Sequence, residues 1–240
     1  MATQGLILLF ILLFFITSTS KVIAIVSPYN VPNNRFGVHI LDVAELHDAA
    51  KLVNSNGGSW GYVTIPLRSD DRNREKWNLF MQECKKLHII PIIRLATRMQ
   101  SEYWSKPDAF DYIDFANFLN DLDWPIKNRY VVVYNEPNHA SEWGGTLDPE
   151  QYADELNRTI DVLKTRNQDF FILPAGLDAA APNDSIHMQW QDFLYRMYLS
   201  QPEIFKKIDG WNSHSYPNPA LSSPPTATHD HSIHSFAHEL

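Results

Sequence analysis

Short apolar runs alternate with amphipathic stretches along the chain from about residue 30 onwards. Continuous apolar runs are typical of strands that are buried on both faces of a sheet. Apolar residues that recur every three or four positions predict helices with one buried face. The predicted strands are 35–40, 59–67, 88–96, 129–135, 170–177 and 208–216, and the predicted helices are 41–56, 73–87, 107–122, 148–167 and 185–201.

This alternation predicts an α/β protein whose parallel sheet is covered by helices. An open doubly wound sheet usually carries a Gly-rich phosphate-binding turn after its first strand, and "GVHILDVAEL" at 37–46 contains none. A TIM (β/α)8 barrel places its chemistry at the carboxyl ends of its strands instead. Polar residues do cluster at the carboxyl ends of the predicted strands: Arg68, Arg94, Asn135, Glu136, Asp178, His214 and Tyr216. The barrel is therefore the predicted fold.

The barrel is incomplete as given. About six βα units occur without a break in composition, which predicts one partial domain over residues 30–240. Residues 25–240 are also fewer than the roughly 250 of a typical barrel of this kind. The Pro-rich stretch "YPNPALSSPPTAT" at 216–228 predicts a long loop after the sixth strand.

The N-terminus carries an apolar segment, "GLILLFILLFFITSTS" at 5–20. Its length is typical of a secretory signal peptide, and "VIA" at 22–24 is suited to cleavage. The first four residues carry no Lys or Arg, so an uncleaved membrane anchor over 5–26 stays open as the alternative. Either interpretation places residues 1–24 outside the fold. The domain is then expected to be secreted or extracytoplasmic, with or without membrane attachment.

Composition narrows the range of partners. The formal net charge is −8, the pI is about 5.6, and no basic run is present. Nucleic acid is excluded as an expected partner, because phosphate binding needs clustered Lys and Arg. Seven Trp and ten Tyr are compatible with hydroxyl-rich ligands such as sugars. The single cysteine, Cys84, rules out an internal disulfide. No cofactor is expected. The sequence gives no indication of the oligomeric state.

Two motifs carry a family resemblance. Asn135-Glu136-Pro137 ends the fourth predicted strand, and His214 and Tyr216 form an H-x-Y motif at the sixth. In this placement they resemble the clan A glycoside hydrolases, a superfamily of (β/α)8 retaining glycosidases. The resemblance implies that Glu136 is the general acid/base and that Asn135 binds the sugar 2-hydroxyl. It also implies that His214 contacts the acid/base and that Tyr216 touches the nucleophile.

Glycosidic cleavage explains why a carboxyl is needed at this place. The leaving oxygen needs a proton, and the sugar passes through an oxocarbenium-like transition state. A carboxyl that keeps its proton near neutral pH needs a raised pKa, which burial and a second carboxylate supply. We therefore expect a raised pKa for Glu136. The structural alternative is that Glu136 caps the rim of the barrel or pairs there with an arginine.

Three further residues are candidates for substrate binding, each with a structural alternative. Arg94 ends the third strand and is suited either to holding a carboxylate or to a salt bridge. Trp143 follows Glu136 and is suited either to stacking on a sugar face or to packing in the core. His39, at the end of the first strand, lines the pocket or forms a hydrogen bond at its rim. Four histidines near the C-terminus predict a surface helix, and no metal site is expected: His229, His231, His234 and His238.

The nucleophile is the missing part. The clan takes its nucleophile from a Glu at the end of the seventh strand. In this sequence, Asp230 and Glu239 are the only carboxylates after the sixth predicted strand. Glu239 lies in a helical pattern with no strand before it, so we expect the nucleophile beyond residue 240 of a truncated chain. The expected function is a retaining glycosidase acting on the O-glycosyl bonds of a β-linked oligosaccharide or polysaccharide, of which this chain carries the acid/base half. A non-catalytic carbohydrate-binding or degenerate barrel protein is the alternative.

Overall fold

A computed structural model describes residues 32–217 and 221–239. The signal peptide or anchor expected over 1–24 lies outside these residues. The described strands are β1 (Gly37–His39), β2 (Gly61–Arg68), β3 (Ile89–Ala96), β4 (Met99–Gln100), β5 (Tyr103–Trp104), β6 (Arg129–Val133) and β7 (Phe170–Pro174). The described helices are α1 (Leu46–Val53), α2 (Arg74–Lys86), α3 (Asp111–Asn120), α4 (Pro149–Arg166), α5 (Trp190–Ser200), α6 (Ile204–Lys207) and α7 (Phe236–Glu239).

The main sheet has the strand order β1-β2-β3-β6-β7, and every neighbouring pair is parallel. The pairing of β2 with β3 runs from Gly61 opposite Ile89 to Arg68 opposite Ala96. A separate antiparallel hairpin, β4–β5, follows β3 and was not predicted from the sequence. The observed fold is thus α/β with a mostly parallel sheet. It is compatible with part of a TIM barrel, and the described residues form no closed barrel.

The two faces of the sheet carry different apolar clusters. Val63, Ile65 and Leu67 of β2 belong to the main core, which packs against the helices. Side chains that point to the other face of the sheet form a second, smaller cluster, which contains Ile90 of β3, Tyr130 of β6 and Phe171 of β7. Because side chains alternate across a strand, the small cluster lies on the face away from the helices. This inner face would be the interior of a barrel.

The prediction of a sixth strand over 208–216 was wrong. One parallel bridge between Asp178 and His214 is the pairing found there. The Asp209 carboxylate accepts the Ile172 backbone N–H at 2.8 Å, and the Asp209 backbone N–H donates to the Ile172 carbonyl at 2.9 Å. A side chain therefore occupies the place at the edge of β7 where a strand carbonyl would sit. The other five predicted strands and the five predicted helices are present, most with bounds shifted by a few residues.

Helix α4 fixes the ends of the two strands next to the site. Its N-terminus is capped by the Asp148 side chain, which accepts a hydrogen bond from the backbone of Gln151. The buried hydroxyl of Tyr152 donates to the Val133 carbonyl at 3.1 Å and accepts from the Ala175 backbone N–H at 2.7 Å. One phenol thus ties the carboxyl ends of β6 and β7 together. Within the described part of the chain, no helix is both long and apolar enough to cross a membrane.

Replacing Tyr152 with Phe tests this tie. Tyr152→Phe leaves a buried backbone N–H and a buried carbonyl without their partner, so we expect the free energy of unfolding to fall by about 1–3 kcal/mol. Urea unfolding followed by circular dichroism measures the change. Tyr195→Phe, on the exposed side of α5, is the matched control and should change it by less than about 0.5 kcal/mol. Equal stability of the two variants would contradict the role given to the Tyr152 hydroxyl.

Candidate active site

Glu136 lies just past the carboxyl end of β6 in an unusual backbone conformation. Its φ is 32°, and that of Tyr134 is 69°, both in the left-handed region that residues other than glycine rarely adopt. The turn is held by two backbone hydrogen bonds, from Glu136 to the Gly176 carbonyl at 3.2 Å and from His139 to the Glu136 carbonyl at 2.9 Å. Strain of this kind concentrates at functional sites, because the surrounding structure must hold it in place.

Two side chains converge on one oxygen of Glu136. His214 Nδ1 and the Tyr216 hydroxyl each lie 2.7 Å from Glu136 Oε1. The Tyr216 hydroxyl donates its hydrogen, and so does His214 Nδ1–H when the carboxyl is ionised, because the carboxylate then has no hydrogen to give. The side chains of Glu136 and His214 are mostly buried, with 15% and 24% of their surfaces exposed. The structure therefore brings Glu136 together with two residues that lie 78 and 80 positions further along the chain.

Gly176 makes room for the histidine. A Cβ built at Gly176 would lie 2.4 Å from His214 Cδ2, closer than two carbon atoms can approach. The imidazole therefore packs directly on the backbone of the loop after β7. The glycine in "PAGLD" was the only trace of this requirement in the sequence.

The electrostatics of Glu136 differ from the sequence-based expectation. Burial acts to raise its pKa, but the hydrogen bonds from His214 and Tyr216 and the charge of His214 favour the ionised form. The net result is a lowered pKa, so the expectation of a raised pKa was wrong for the described structure. Burial and the neighbouring Glu136 together raise the pKa of Tyr216, which keeps its proton for the hydrogen bond.

A cavity of about 240 Å³ opens beside these residues on the inner face of the sheet. Side chains from β2, β3, β6 and β7 form its walls and are mainly apolar: Thr64, Ile92, Val132 and Leu173. Polar groups border it near the carboxyl ends of the strands and in the segment after α6: His39, Arg94, Asn135, Asn212 and His214. An apolar lining with a few convergent polar groups is typical of small-molecule pockets. The pKa of His39 is lowered, mainly by burial and then by Arg94, so its ring is neutral at pH 7.

Arg94 lies in the site without a complete set of partners. Its Nε is buried and has no hydrogen-bond partner among the described residues. Burial lowers the pKa of Arg94, and the charges of Glu142 and Glu136 oppose that shift. The guanidinium group is therefore attracted to both carboxyls and still has an unused donor.

Trp143 does not face the pocket. It is 0% exposed, its Nε1 donates to Gln151 Oε1 at 3.1 Å, and its ring contacts those of Tyr134 and Tyr152 edge to face. The expectation that Trp143 stacks on a sugar was wrong, because the tight turn after Glu136 directs the indole into the core. Arg68 also lies outside the site and pairs with Asp70 at 3.0 Å.

A His–Asp pair that was not predicted from the sequence lies near Glu136. His139 Nε2 and Asp178 Oδ2 lie 3.0 Å apart. This contact raises the pKa of His139, and although burial acts to raise the pKa of Asp178, its bonds to His139 and to backbone lower it. The buried Asn138 side chain donates to the carbonyls of Asp178 and Met188. The loops after β6 and β7 are therefore fastened to each other beside Glu136.

Glu142 is a further buried carboxyl near Glu136 that was not predicted from the sequence. It lines a small cavity together with Arg94 and Asn135. Burial, and then the charge of Glu136, raises its pKa against the opposing effects of Asn135, Arg94 and His139. Nothing in the loop sequence "HASEWGG" distinguishes this glutamate from a solvated one, because its neighbours come from other strands.

The C-terminal carboxylate and histidines have other contacts. Glu239 accepts hydrogen bonds from Trp211 Nε1 at 2.8 Å and Ser213 Oγ at 2.5 Å. His234 and His238 lie within hydrogen-bonding distance of the carbonyls of Pro225 and Thr228. Over 32–217 and 221–239, no group of three or more His, Cys, Asp or Glu side chains is arranged to hold a metal ion.

Comparison with known proteins gives one distant similarity. No family model matches the chain. A stretch of 113 residues is 29% identical to Beta-hexosaminidase subunit A1 of Dictyostelium discoideum, covering 45% of this chain and 20% of that protein. The match thus spans about a fifth of the length of this relative. At this identity and coverage, the similarity supports at most a superfamily-level relationship to glycoside hydrolases.

Removing His214 should reverse the pKa shift of Glu136. In His214→Ala the burial that raises the pKa of Glu136 largely remains, while the hydrogen bond from His214 that favours the ionised form is lost, so we expect the pKa of Glu136 to rise. A pH titration of ¹³C-labelled glutamate carboxyls by NMR measures it, with Glu136→Gln identifying the resonance. His47→Ala on α1 is the control, because His47 interacts with Glu83 instead. An unchanged or lower pKa in His214→Ala would contradict the electrostatic account.

Proposed function

We propose that this chain carries the acid/base half of a retaining glycoside hydrolase that cleaves O-glycosyl bonds of a β-linked glycan. The observation that carries the proposal is the single oxygen of Glu136 that receives hydrogen bonds from both His214 and Tyr216. His214 and Asn135, the residue before Glu136, both line the pocket. The distant similarity to a protein named as a beta-hexosaminidase supports the same class of reaction.

The apolar walls and polar border of the pocket are chemically suited to one unit of a neutral glycan. The apolar face of a sugar ring packs on the side chains of the inner sheet face, such as Ile92 and Leu173. Asn135 and the neutral His39 offer hydrogen bonds to hydroxyls along the border. In this arrangement the glycosidic oxygen lies next to the Glu136 carboxyl. Glu136 then gives a proton to the leaving oxygen and later takes one from the attacking water.

The lowered pKa of Glu136 sets a condition on this mechanism. As described, the carboxyl is ionised near neutral pH and is ready to act as a base. The acid step needs a higher pKa, which a carboxylate nucleophile at the roughly 5–5.5 Å separation of retaining enzymes would supply. We assign none of the described carboxyls to that role. The 240-residue chain alone is then expected to form no glycosyl-enzyme intermediate.

The same lowered pKa favours a second candidate function, carbohydrate binding without catalysis. An ionised carboxylate accepts hydrogen bonds from sugar hydroxyls and donates no proton. A binding site can keep its carboxylate ionised throughout, whereas a general acid must be protonated for one step of its reaction cycle. The two candidates differ in whether Glu136 transfers a proton.

An external nucleophile separates the two candidates. Phenyl β-glycosides have a poor leaving group that needs a proton, and azide can attack the anomeric carbon in place of the missing carboxylate. With a panel of phenyl β-glycosides at a pH low enough to protonate Glu136, we expect phenol release that requires azide and produces a glycosyl azide. Glu136→Gln should reduce the azide-dependent rate by at least about 100-fold, in line with the contribution of a general acid. Chromatography of phenol and of the glycosyl azide measures both products.

Glu75→Gln, an exposed carboxylate on α2, is the matched control and should leave the rate unchanged. Saturable sugar binding without phenol release, with or without azide, would favour the binding protein. Neither binding nor release across the panel would contradict both functions. Turnover without azide that survives Glu136→Gln would show that another group performs the chemistry.

A further inference from the structure

A hydrogen bond between two side chains connects helix α4 to the end of β6. The Tyr134 hydroxyl lies 3.2 Å from Glu155 Oε1 and donates to it. Glu155 lies three residues after Tyr152, whose hydroxyl donates to the Val133 carbonyl. Residues three apart share one face of a helix. The same face of α4 therefore holds Val133 through its backbone and Tyr134 through its side chain.

The aromatic ring of Tyr134 is held by a second route to the same helix. Tyr134 is buried, and its ring packs edge to face on that of Trp143 at 5.5 Å. The indole Nε1 of Trp143 donates to Gln151 Oε1 of α4 at 3.1 Å. The Tyr134 side chain is thus fixed both at its ring and at its hydroxyl.

Tyr134 begins the strained turn that carries the candidate site. Its φ is 69°, and that of Glu136, two residues later, is 32°. Residues other than glycine keep such a conformation only when the surrounding structure holds them in it. Asn135, between the two, lines the pocket. The anchored Tyr134 side chain therefore helps to determine where the next two side chains lie.

We propose that Glu155 is a positioning residue: through the Tyr134 hydroxyl, its carboxyl holds the strained turn that carries Asn135 and Glu136, and it does so most firmly when it is ionised. The hydrogen bond and the turn are independent of what the protein does. Their consequence for sugar binding rests on the proposed function.

The charge of Glu155 should control the strength of this hydrogen bond. An ionised carboxylate is a stronger acceptor than a protonated one. Burial raises the pKa of Glu155 to about 7, and the charges of Asp111 on α3 and Asp154 on α4 act in the same direction. The hydrogen bond from Tyr134 and the charge of Arg158 on α4 oppose that shift. The bond to Tyr134 should therefore weaken as the pH falls through about 7.

The same shift has the opposite effect on the stability of the whole fold. A carboxyl with a raised pKa in the folded protein stabilises the fold below its unfolded pKa, and this contribution is lost as the pH rises through about 7. Glu155→Gln carries no charge there. It should therefore unfold at a higher urea concentration than the wild type at about pH 8, and the difference should shrink at about pH 5. A contact with a purely structural role predicts a less stable Gln variant at about pH 8, which would contradict this account.

The ¹³Cζ resonance of Tyr134 reports the hydrogen bond directly. In an NMR titration of the 240-residue chain, assigned with Tyr134→Phe, we expect this resonance to move with a midpoint near pH 7. In Glu155→Gln the hydroxyl keeps an acceptor but the titrating group is gone, so the transition should disappear. Glu150→Gln, on the same helix, is the matched control and should titrate like the wild type, because Glu150 pairs with Arg196. An unchanged Tyr134 titration in folded Glu155→Gln would overturn the proposal.

The pKa of Glu136 reports whether the turn is held. A released Tyr134 should loosen the contacts of Glu136 Oε1 with His214 and Tyr216 while burial remains, so the pKa of Glu136 should rise. We expect this rise in Glu155→Ala, and in Glu155→Gln a pKa close to that of the wild type. Loss of a nearby negative charge alone would lower the pKa of Glu136, so the direction separates positioning from electrostatics.

Tyr134→Phe keeps this test decisive. It removes one oxygen and leaves the charge of Glu155 in place, so it should also raise the pKa of Glu136. Circular dichroism shows whether each variant is folded, and Tyr134→Phe decides if Glu155→Ala is not. An unchanged pKa of Glu136 in the folded variants would overturn the positioning role.

Sugar binding then tests the consequence. For the phenyl β-glycoside that binds the wild-type chain best, Glu155→Ala should weaken affinity at about pH 8 by about five- to tenfold, the effect of losing one positioned hydrogen bond. Glu155→Gln should restore it to within about twofold. Equal affinity of the Ala variant and the wild type would contradict the consequence for binding. If no glycoside binds the wild type, the proposed function fails, while the two NMR titrations still decide the positioning role.

Discussion

The parallel order of the strands places every polar group of the site at one edge of the sheet. β1, β2, β3, β6 and β7 all run in the same direction, so their carboxyl ends meet on the same side. His39 ends β1, Arg94 lies two residues before the end of β3, and Glu136 follows β6. The loop after β7 carries the glycine against which His214 packs. An antiparallel arrangement of the same strands would distribute these residues over two opposite edges. The position of the pocket is therefore determined by the parallel strand order.

The state of Glu136 is decided by competition between burial and hydrogen bonding. A carboxyl that is mostly removed from water loses the solvation of its charged form, which alone would keep it protonated. Donors from His214 and Tyr216 more than replace that solvation, and the net pKa falls. His214 stays in place because its backbone forms a bridge with Asp178, whose loop is tied to the loop of Glu136 by the buried Asn138 side chain. The rigidity of the core thus determines the charge of the site.

Much of the fold was predictable from the sequence, and the failures have identifiable causes. Strands such as 88–96 and 170–177 were found because burial on both faces leaves continuous apolar runs. The strand expected at 208–216 failed because the Asp209 side chain takes the hydrogen bond of a neighbouring strand. The contact between Glu136 and His214 was expected only through a family resemblance, since no local pattern joins positions so far apart. Trp143 was misplaced and Glu142 was missed, because each depends on a loop conformation that local pattern does not encode.

The loop after β6 supplies two carboxyls whose pKa values are shifted in opposite directions. Glu136 is surrounded by donors and favours ionisation, whereas Glu142 is mainly desolvated and favours its proton. Environments that push two pKa values apart are what divides acid and base roles between otherwise identical side chains. Arg94 interacts electrostatically with both carboxyls, so its charge links theirs. Its buried Nε has no hydrogen-bond partner among the described residues. A change of protonation at either glutamate is therefore felt by the other, and Asn135, which lines both cavities, lies where that coupling would reach a ligand.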